Sequence, residues 1–402
     1  MSIQWRDAMS RALYGPDGFF VAGTGPADHF RTSVHASPSF ASALLRLLTQ
    51  VDAALGHPPR LDVVDVGAGR GELLRALVGL AVGVSGASAR PLGDEPSSGT
   101  VRPSLAERVR FTAVEYAHRP ENLPEEINWA SEIPSEITGL LIATEWLDNV
   151  PLDAAVHTED GWRYLLVDPD TGTETIGELV SPADLEWLTK WWPSPEASPT
   201  TNGAPSPEVT WADATSGSES GFGAARLAEG SSLTARSRPG CPETPHSNHT
   251  RAEIGRTRDE AWAHAVGKIS RGLAVAVDYG HLRESRPVDG TLTGYRGGRQ
   301  VPPVPDGSSD VTAHVAMDSV ASAGAAVARC AYSLVSQREA LRALGADGGR
   351  PPLSLAGTDP AGYVRALAAA SAVAELTDPA GLGGHWWLRQ PVGIPLGPAV
   401  AR

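Results

Sequence analysis

Between residues 39 and 55 the chain places Phe40, Leu44, Leu45, Leu48, Val51 and Leu55 three and four positions apart. That repeat gathers them on one side of a helix. The pattern then changes. Leu61–Val66 is a short apolar run with β-branched Val63, Val64 and Val66, stopped by Gly67, which predicts a buried strand. Residues 72–80 return to helix-forming sequence. The apolar runs Val109–Val114, 140–144 and 273–277 predict three more strands, and residues 258–269 predict a helix before the last of them. Glu145 opens a helix or turn. After Asp310 the pattern gives a short strand over 311–315 and helices over 320–334, 338–344 and 363–376. Strands alternating with helices make an α/β fold with a doubly wound, mostly parallel sheet, in which ligands bind beyond the carboxyl ends of the strands. Glu115, Glu145 and Asp278-Tyr279-Gly280 all fall at such ends.

Two stretches interrupt the alternation. Residues 83–103 and 193–250 are rich in Gly, Ser and Pro and have no apolar period, so they read as insertions or linkers. The core is therefore expected in two parts, 61–160 and 258–402, the second ending in further strands and helices. An inserted substrate or cap region occupies 161–257 and a helical segment occupies 1–60. No internal repeat is present.

Composition narrows the chemistry. Thirty-three basic against 47 acidic residues give a net charge of −14, which argues against a nucleic-acid partner. Cys241 and Cys330 cannot build a disulfide framework and lack zinc-site spacing. No stretch approaches the roughly 20 apolar residues of a membrane span, and the N-terminus lacks a signal-type core, so a cytoplasmic protein without membrane insertion is expected. Lys190 and Lys268 are the only lysines among the 33 basic residues, a skew that points to a GC-rich bacterial genome. The eleven histidines include no H-E-x-x-H pair, and no metal is expected. Neither a G-x-S-x-G elbow nor a G-x-x-x-x-G-K-[ST] loop occurs, which removes the main support for hydrolase and P-loop readings.

The informative motif is Asp65-Val66-Gly67-Ala68-Gly69-Arg70-Gly71, with glycine at every second position directly after a strand. Without Cβ atoms the backbone can turn tightly and a ligand can lie against it. A dinucleotide fingerprint would need glycine at position 72, where the chain has Glu72, and a carboxylate is unfavourable where a pyrophosphate meets a helix N-terminus. G-x-G-x-G spacing is instead typical of class I methyltransferases, whose S-adenosylmethionine carries no phosphate. Glu115, at the end of the next strand, suits the two ribose hydroxyls, although the 83–103 insertion lengthens the usual interval of about 20 residues.

Over most of its length the chain resembles the MidA-like methyltransferases. The N-terminal segments Ala12-Leu13-Tyr14-Gly15-Pro16, Gly18-Phe19-Phe20, Asp28-His29-Phe30-Arg31-Thr32-Ser33 and Ser37-Pro38-Ser39-Phe40 are similar to that family's opening signature. Val114-Glu115-Tyr116, Thr144-Glu145-Trp146-Leu147-Asp148-Asn149-Val150-Pro151, Val277-Asp278-Tyr279-Gly280, Gly290 to Tyr295 and Asp310 to Val315 follow in the family's order. The tail from Gln337 to Gly345 and from Leu376 to Leu388 agrees as well. Departures stand at Asp65 (usually Glu), Thr144 (usually Asn), Ala27 (usually Gly) and His385-Trp386-Trp387 (usually Phe-Lys-Val).

The resemblance implies S-adenosylmethionine as cofactor and a protein acceptor with an arginine-containing segment, as in the family's mitochondrial assembly factor acting on a respiratory complex I subunit. It implies that Glu145 and Asp148 are the catalytic acids, and that the N-terminal segment closes over the cofactor and brings Thr32 and Ser33 to it. Their spacing of three would put Glu145 and Asp148 on one face of a helical turn, where carboxylates could pair bidentately with a guanidinium. Cofactor contacts are expected from Asp65, Gly67, Gly69, Gly71, Glu115 and Tyr116, with Trp146 or Tyr116 beside adenine or an incoming cation. The alternatives are an assembly factor without turnover, suggested by Thr144 and the altered tail, and a small-molecule methyltransferase, since fold alone does not name a substrate.

Overall fold

The structure, a computed structural model, describes residues 1–22, 33, 38–87, 103–192, 250–346 and 348–395. Its centre is a seven-stranded sheet in the order Ser333–Ser336, Trp386–Val392, Ile269–Asp278, Ile137–Thr144, Leu61–Val66, Val109–Val114, Ile127–Ala130. The last five of these run parallel. Trp386–Val392 is antiparallel to both of its neighbours.

Alternation along the strands explains why helices cover both faces, because successive side chains point to opposite sides. Val63, Leu140, Ile142 and Val275 face the helices Pro38–Ala54 and Glu72–Ala87, meeting Leu44, Leu48, Leu74 and Leu77. Val64, Leu141, Ala274 and Ala276 face the helices Arg256–Gly267 and Met317–Ala328, meeting Trp262, Val266 and Val320. From Leu61–Val66 the chain winds outward through Val109–Val114 to Ile127–Ala130, then returns to the other side at Ile137–Thr144. The direction of winding thus reverses between Leu61–Val66 and Ile137–Thr144, and the crevice opens beyond their carboxyl ends.

A second, antiparallel sheet lies outside this alternation. It runs Ile3–Gln4, Gly161–Val167, Asp153–Thr158, Arg251–Ile254, with Glu174–Leu179 also paired to Gly161–Val167. The helix Trp5–Tyr14 packs on it through Trp5, Met9 and Leu13, and the Trp5 indole nitrogen donates to Glu174 at 2.6 Å. The helix expected over 320–334 stops at Ala328, where Arg329 turns left-handed at φ 52°. Leu334 and Val335 then pair as an edge strand with Leu388 and Trp387. Strands 140–144 and 273–277 are longer than expected, starting at Ile137 and Ile269. The interior of the 193–250 stretch, with Cys241, lies outside the described residues, as does Thr32. Among the described residues no helix is long and apolar enough to cross a membrane.

Candidate functional site

Directly after Val66, the glycine turn takes left-handed backbone angles at all three glycines, with φ of 71° at Gly67, 57° at Gly69 and 78° at Gly71. L-residues adopt that region at a cost. A Cβ at Gly67 would press on Trp146 at 3.0 Å, and one at Gly71 would lie 2.7 Å from the Leu123 side chain. The turn also holds the acid of the neighbouring strand. Gly69 N donates to Glu115 Oε2 at 3.1 Å and Tyr116 N to Oε1 at 2.7 Å, so the carboxylate is fixed beside the glycines. Burial is the main influence raising its pKa. Asp65 is buried in the same wall, and burial, with Glu72 and Glu115 nearby, pushes its carboxyl up to about 8. Tyr116 is exposed, its ring edge-on to Tyr14 at 5.5 Å.

Opposite this wall, Glu145 follows the strand Ile137–Thr144 with φ 51° and donates its backbone N–H to Val277 O at 2.8 Å. A short 3-10 turn, Leu147–Asn149, follows. Glu145 and Asp148 therefore do not share a face of one helical turn as their spacing suggested, because the left-handed residue reorients the chain before the turn begins. Both still line one cavity. Ser33 N donates to Glu145 Oε1 at 3.1 Å, and Ser33 Oγ reaches Gln337 at 3.1 Å.

Asp148 is buried and accepts hydrogen bonds from the Tyr279 hydroxyl and from Thr312 Oγ1, the latter at 2.7 Å. Its Oδ1 has no partner among the described residues. Asp278 lies beneath, accepting from Leu147 N at 3.0 Å, and Asp310 accepts from Asn149 Nδ2 at 2.7 Å. Burial, the largest influence in each case, raises the pKa of all three aspartates, and their mutual repulsion adds to it at Asp278 and Asp310. The buried guanidinium of Arg258 provides counter-charge, but its hydrogen bonds go to the carbonyls of Asp148, Val150, Ala313 and His314.

The two walls enclose a cavity of about 1050 Å³. Asp65, Gly67, Gly69, Glu115, Tyr116, Glu145 and Asp148 all line it, whereas Gly71 supports the turn from outside the lining. Ser33 meets Glu145 through its backbone. The cavity also takes Tyr14, Phe20, Tyr295, Asp310, His314 and His385, to which motif reading gave no role although most stand in motifs that carry the resemblance. Tyr279, at a strand end, lines it too. Among the described residues no group of three or more His, Cys, Asp or Glu side chains could hold a metal ion.

The donor set suits S-adenosylmethionine. Its ammonium and sulfonium charges match a pocket rich in carboxylates, its ribose hydroxyls can donate to Glu115, and no phosphate would meet Glu72. In structural comparisons the chain is similar to a COG1565 superfamily member from Burkholderia thailandensis bound to S-adenosyl-homocysteine, with a TM-score of 0.66, 19% identity and coverage of 99% of this chain and 90% of that one. A native structure of a COG1565 superfamily protein from the same organism gives a TM-score of 0.65, 20% identity and coverage of 100% and 90%. At such identities the likeness is one of fold. No curated protein matches the chain. The model of the family described as "Putative S-adenosyl-L-methionine-dependent methyltransferase" matches residues 41–334, well over half of the chain and both walls of the cavity. The chain belongs to this family, whose cofactor is S-adenosyl-L-methionine.

Proposed function

We propose that the protein transfers a methyl group from S-adenosylmethionine to the guanidinium of an arginine in a protein acceptor, as a MidA-like member of its family. The observation that carries this reading is the convergence of Glu145, Asp148 and Asp310 on one side of the cavity. Asp148 and Asp310, buried and with raised pKa values, favour a cation that restores their charge balance, and a guanidinium offers paired N–H donors in carboxylate geometry. S-adenosyl-homocysteine in the structural neighbour is the product that remains once a methyl group has left, which supports the same chemistry here.

Asp65 and Glu115 would hold the cofactor's ammonium and ribose against the glycine turn. When bound, the cofactor supplies a methyl group on a positively charged sulfur. Transfer would join the methyl carbon to the acceptor nitrogen as the C–S bond breaks, and a carboxylate of this group would take the N–H proton and pass it to solvent. Glu145 and Asp148 would hold and orient the acceptor nitrogen, the kind of positioning whose loss costs about 100-fold in rate.

The test pairs binding with transfer. Calorimetric titration should show saturable binding of S-adenosylmethionine and none of NAD, with binding lost in Gly69→Val. Methyl-labelled cofactor and an arginine-containing peptide should then yield methylarginine. Glu145→Ala should keep cofactor affinity and lower transfer by about 100-fold. Undiminished turnover in that variant would remove Glu145 from the mechanism, and label found only on other acceptors would remove arginine.

A further inference from the structure

Gln337 opens the helix Gln337–Ala343 and is fully buried. Its backbone N–H donates to His385 O at 2.7 Å, and both ends of its side-chain amide are committed. Nε2 donates to Leu376 O at 3.1 Å, at the end of the helix Pro360–Leu376. Oε1 accepts from the indole nitrogen of Trp387 at 3.2 Å and from Ser33 Oγ at 3.1 Å. A carbonyl only accepts and an indole nitrogen only donates, so Leu376 and Trp387 fix which way the amide points. Ser33, itself fully buried and 304 residues away in sequence, is thereby tied by its hydroxyl to the C-terminal part of the chain. Its N–H meets Glu145 Oε1 at 3.1 Å.

We propose that Gln337 is a positioning residue for Glu145, which it holds in place through Ser33. The proposal rests on the role given to Glu145 above and deepens it. A backbone N–H bonded to a carboxylate is a charge-assisted contact, but it orients the carboxylate only as well as the donor is itself held. Here the donor is held by its own hydroxyl, and the oxygen that accepts from that hydroxyl is anchored to the helix Pro360–Leu376 and the strand Trp386–Val392. A continuous run of hydrogen bonds thus leads from Leu376 and Trp387 through Gln337 and Ser33 to Glu145. An apolar side chain of the same length at Gln337 would leave Ser33 Oγ, the Trp387 indole and the Leu376 carbonyl without this partner, a costly change for buried groups. Gln337 lies outside the cavity lining. It still bears on transfer, because a misplacement of about 1 Å caused far from the chemistry can cost about 100-fold in rate.

The experiment uses the full chain and reads two quantities: protection of the backbone amide at position 33 from hydrogen exchange, followed by NMR, and transfer of labelled methyl to an arginine-containing peptide. Cofactor affinity is measured in parallel. Gln337→Met and Ser33→Ala each break the link, and the second leaves Gln337 and its packing in place, so the test survives if the first variant does not fold. In both, and in Glu145→Ala, the amide should exchange about tenfold faster, the scale of one hydrogen bond to a charged group. In Gln337→Met and Ser33→Ala kcat should fall by a similar factor, with S-adenosylmethionine affinity unchanged. The double variant should be no worse than the poorer single one, because residues acting through one network are not additive. Wild-type protection of the amide in any of the three variants would overturn the assignment. Additive losses of kcat, or a parallel loss of cofactor affinity, would reduce Gln337 to a packing residue and also overturn it. If the wild-type protein leaves the peptide unmethylated, the arginine reading falls, and amide exchange then decides by itself whether Gln337 positions Glu145.

Discussion

Asp65 shows how much one side chain can report. It stands next to last in a buried strand, near Glu72 and Glu115, and burial first, then those neighbours, lifts its carboxyl to about 8. In an unfolded chain an aspartate titrates near 3.9. Between these two values the folded protein holds a proton that the unfolded chain has released, so this group makes stability fall as pH rises from about 4 to about 8 and contributes no further change above that. A cationic cofactor favours the ionised form, so binding below pH 8 should expel the proton. Titrating S-adenosylmethionine at pH 7 in two buffers of different ionisation enthalpy should reveal up to one proton released, and Asp65→Asn should abolish that release. Identical heats in the two buffers for the wild-type protein would show that Asp65 does not respond to the cofactor. Asp65, the glycines and Glu115 were legible in the sequence because each sits within a few residues of a strand end. The left-handed backbone at Glu145 was not, since a non-glycine residue there leaves no mark in the pattern.

At the scale of elements, Arg258 on the helix Arg256–Gly267 joins pieces that are distant in sequence. Its guanidinium binds the carbonyls of Asp148, Val150, Ala313 and His314, which fastens the turn after Ile137–Thr144 to the segment after Asp310–Thr312. Arg258→Met keeps the bulk and removes every donor. We expect a loss of roughly 3–5 kcal/mol, the scale of breaking a buried charged network, read as a lower urea midpoint, together with weaker acceptor binding. A midpoint within error of wild type would show that the two segments hold without it. The hydrophobic pattern located this helix but not its task, because a polar residue on an apolar face has no periodic signature. The same blindness extended the helix that ends at Ala328 through Leu334. Apolar residues serve a helix face and a sheet edge equally well, and the choice fell to pairing with Trp387 and Leu388.

For the molecule as a whole, a net charge of −14 and a cavity edged with carboxylates favour a basic acceptor segment through long-range attraction. The apparent KM for a basic arginine peptide should rise severalfold as ionic strength passes from about 0.05 M to about 0.3 M, where charges about 10 Å apart become screened, with kcat little changed. A KM independent of salt would place recognition wholly within the cavity. The sequence by itself determined the parallel strands, the glycine turn and the acids at the strand ends, because alternation, β-branching and turn chemistry act over a few residues. Tertiary structure decided the rest. Thr312 meets Asp148 from 164 residues away, and Tyr14, Asp310 and His385 reach one cavity from widely separated parts of the chain. No local repeat encodes such meetings. They follow from how two sheets and their helices bury their apolar faces.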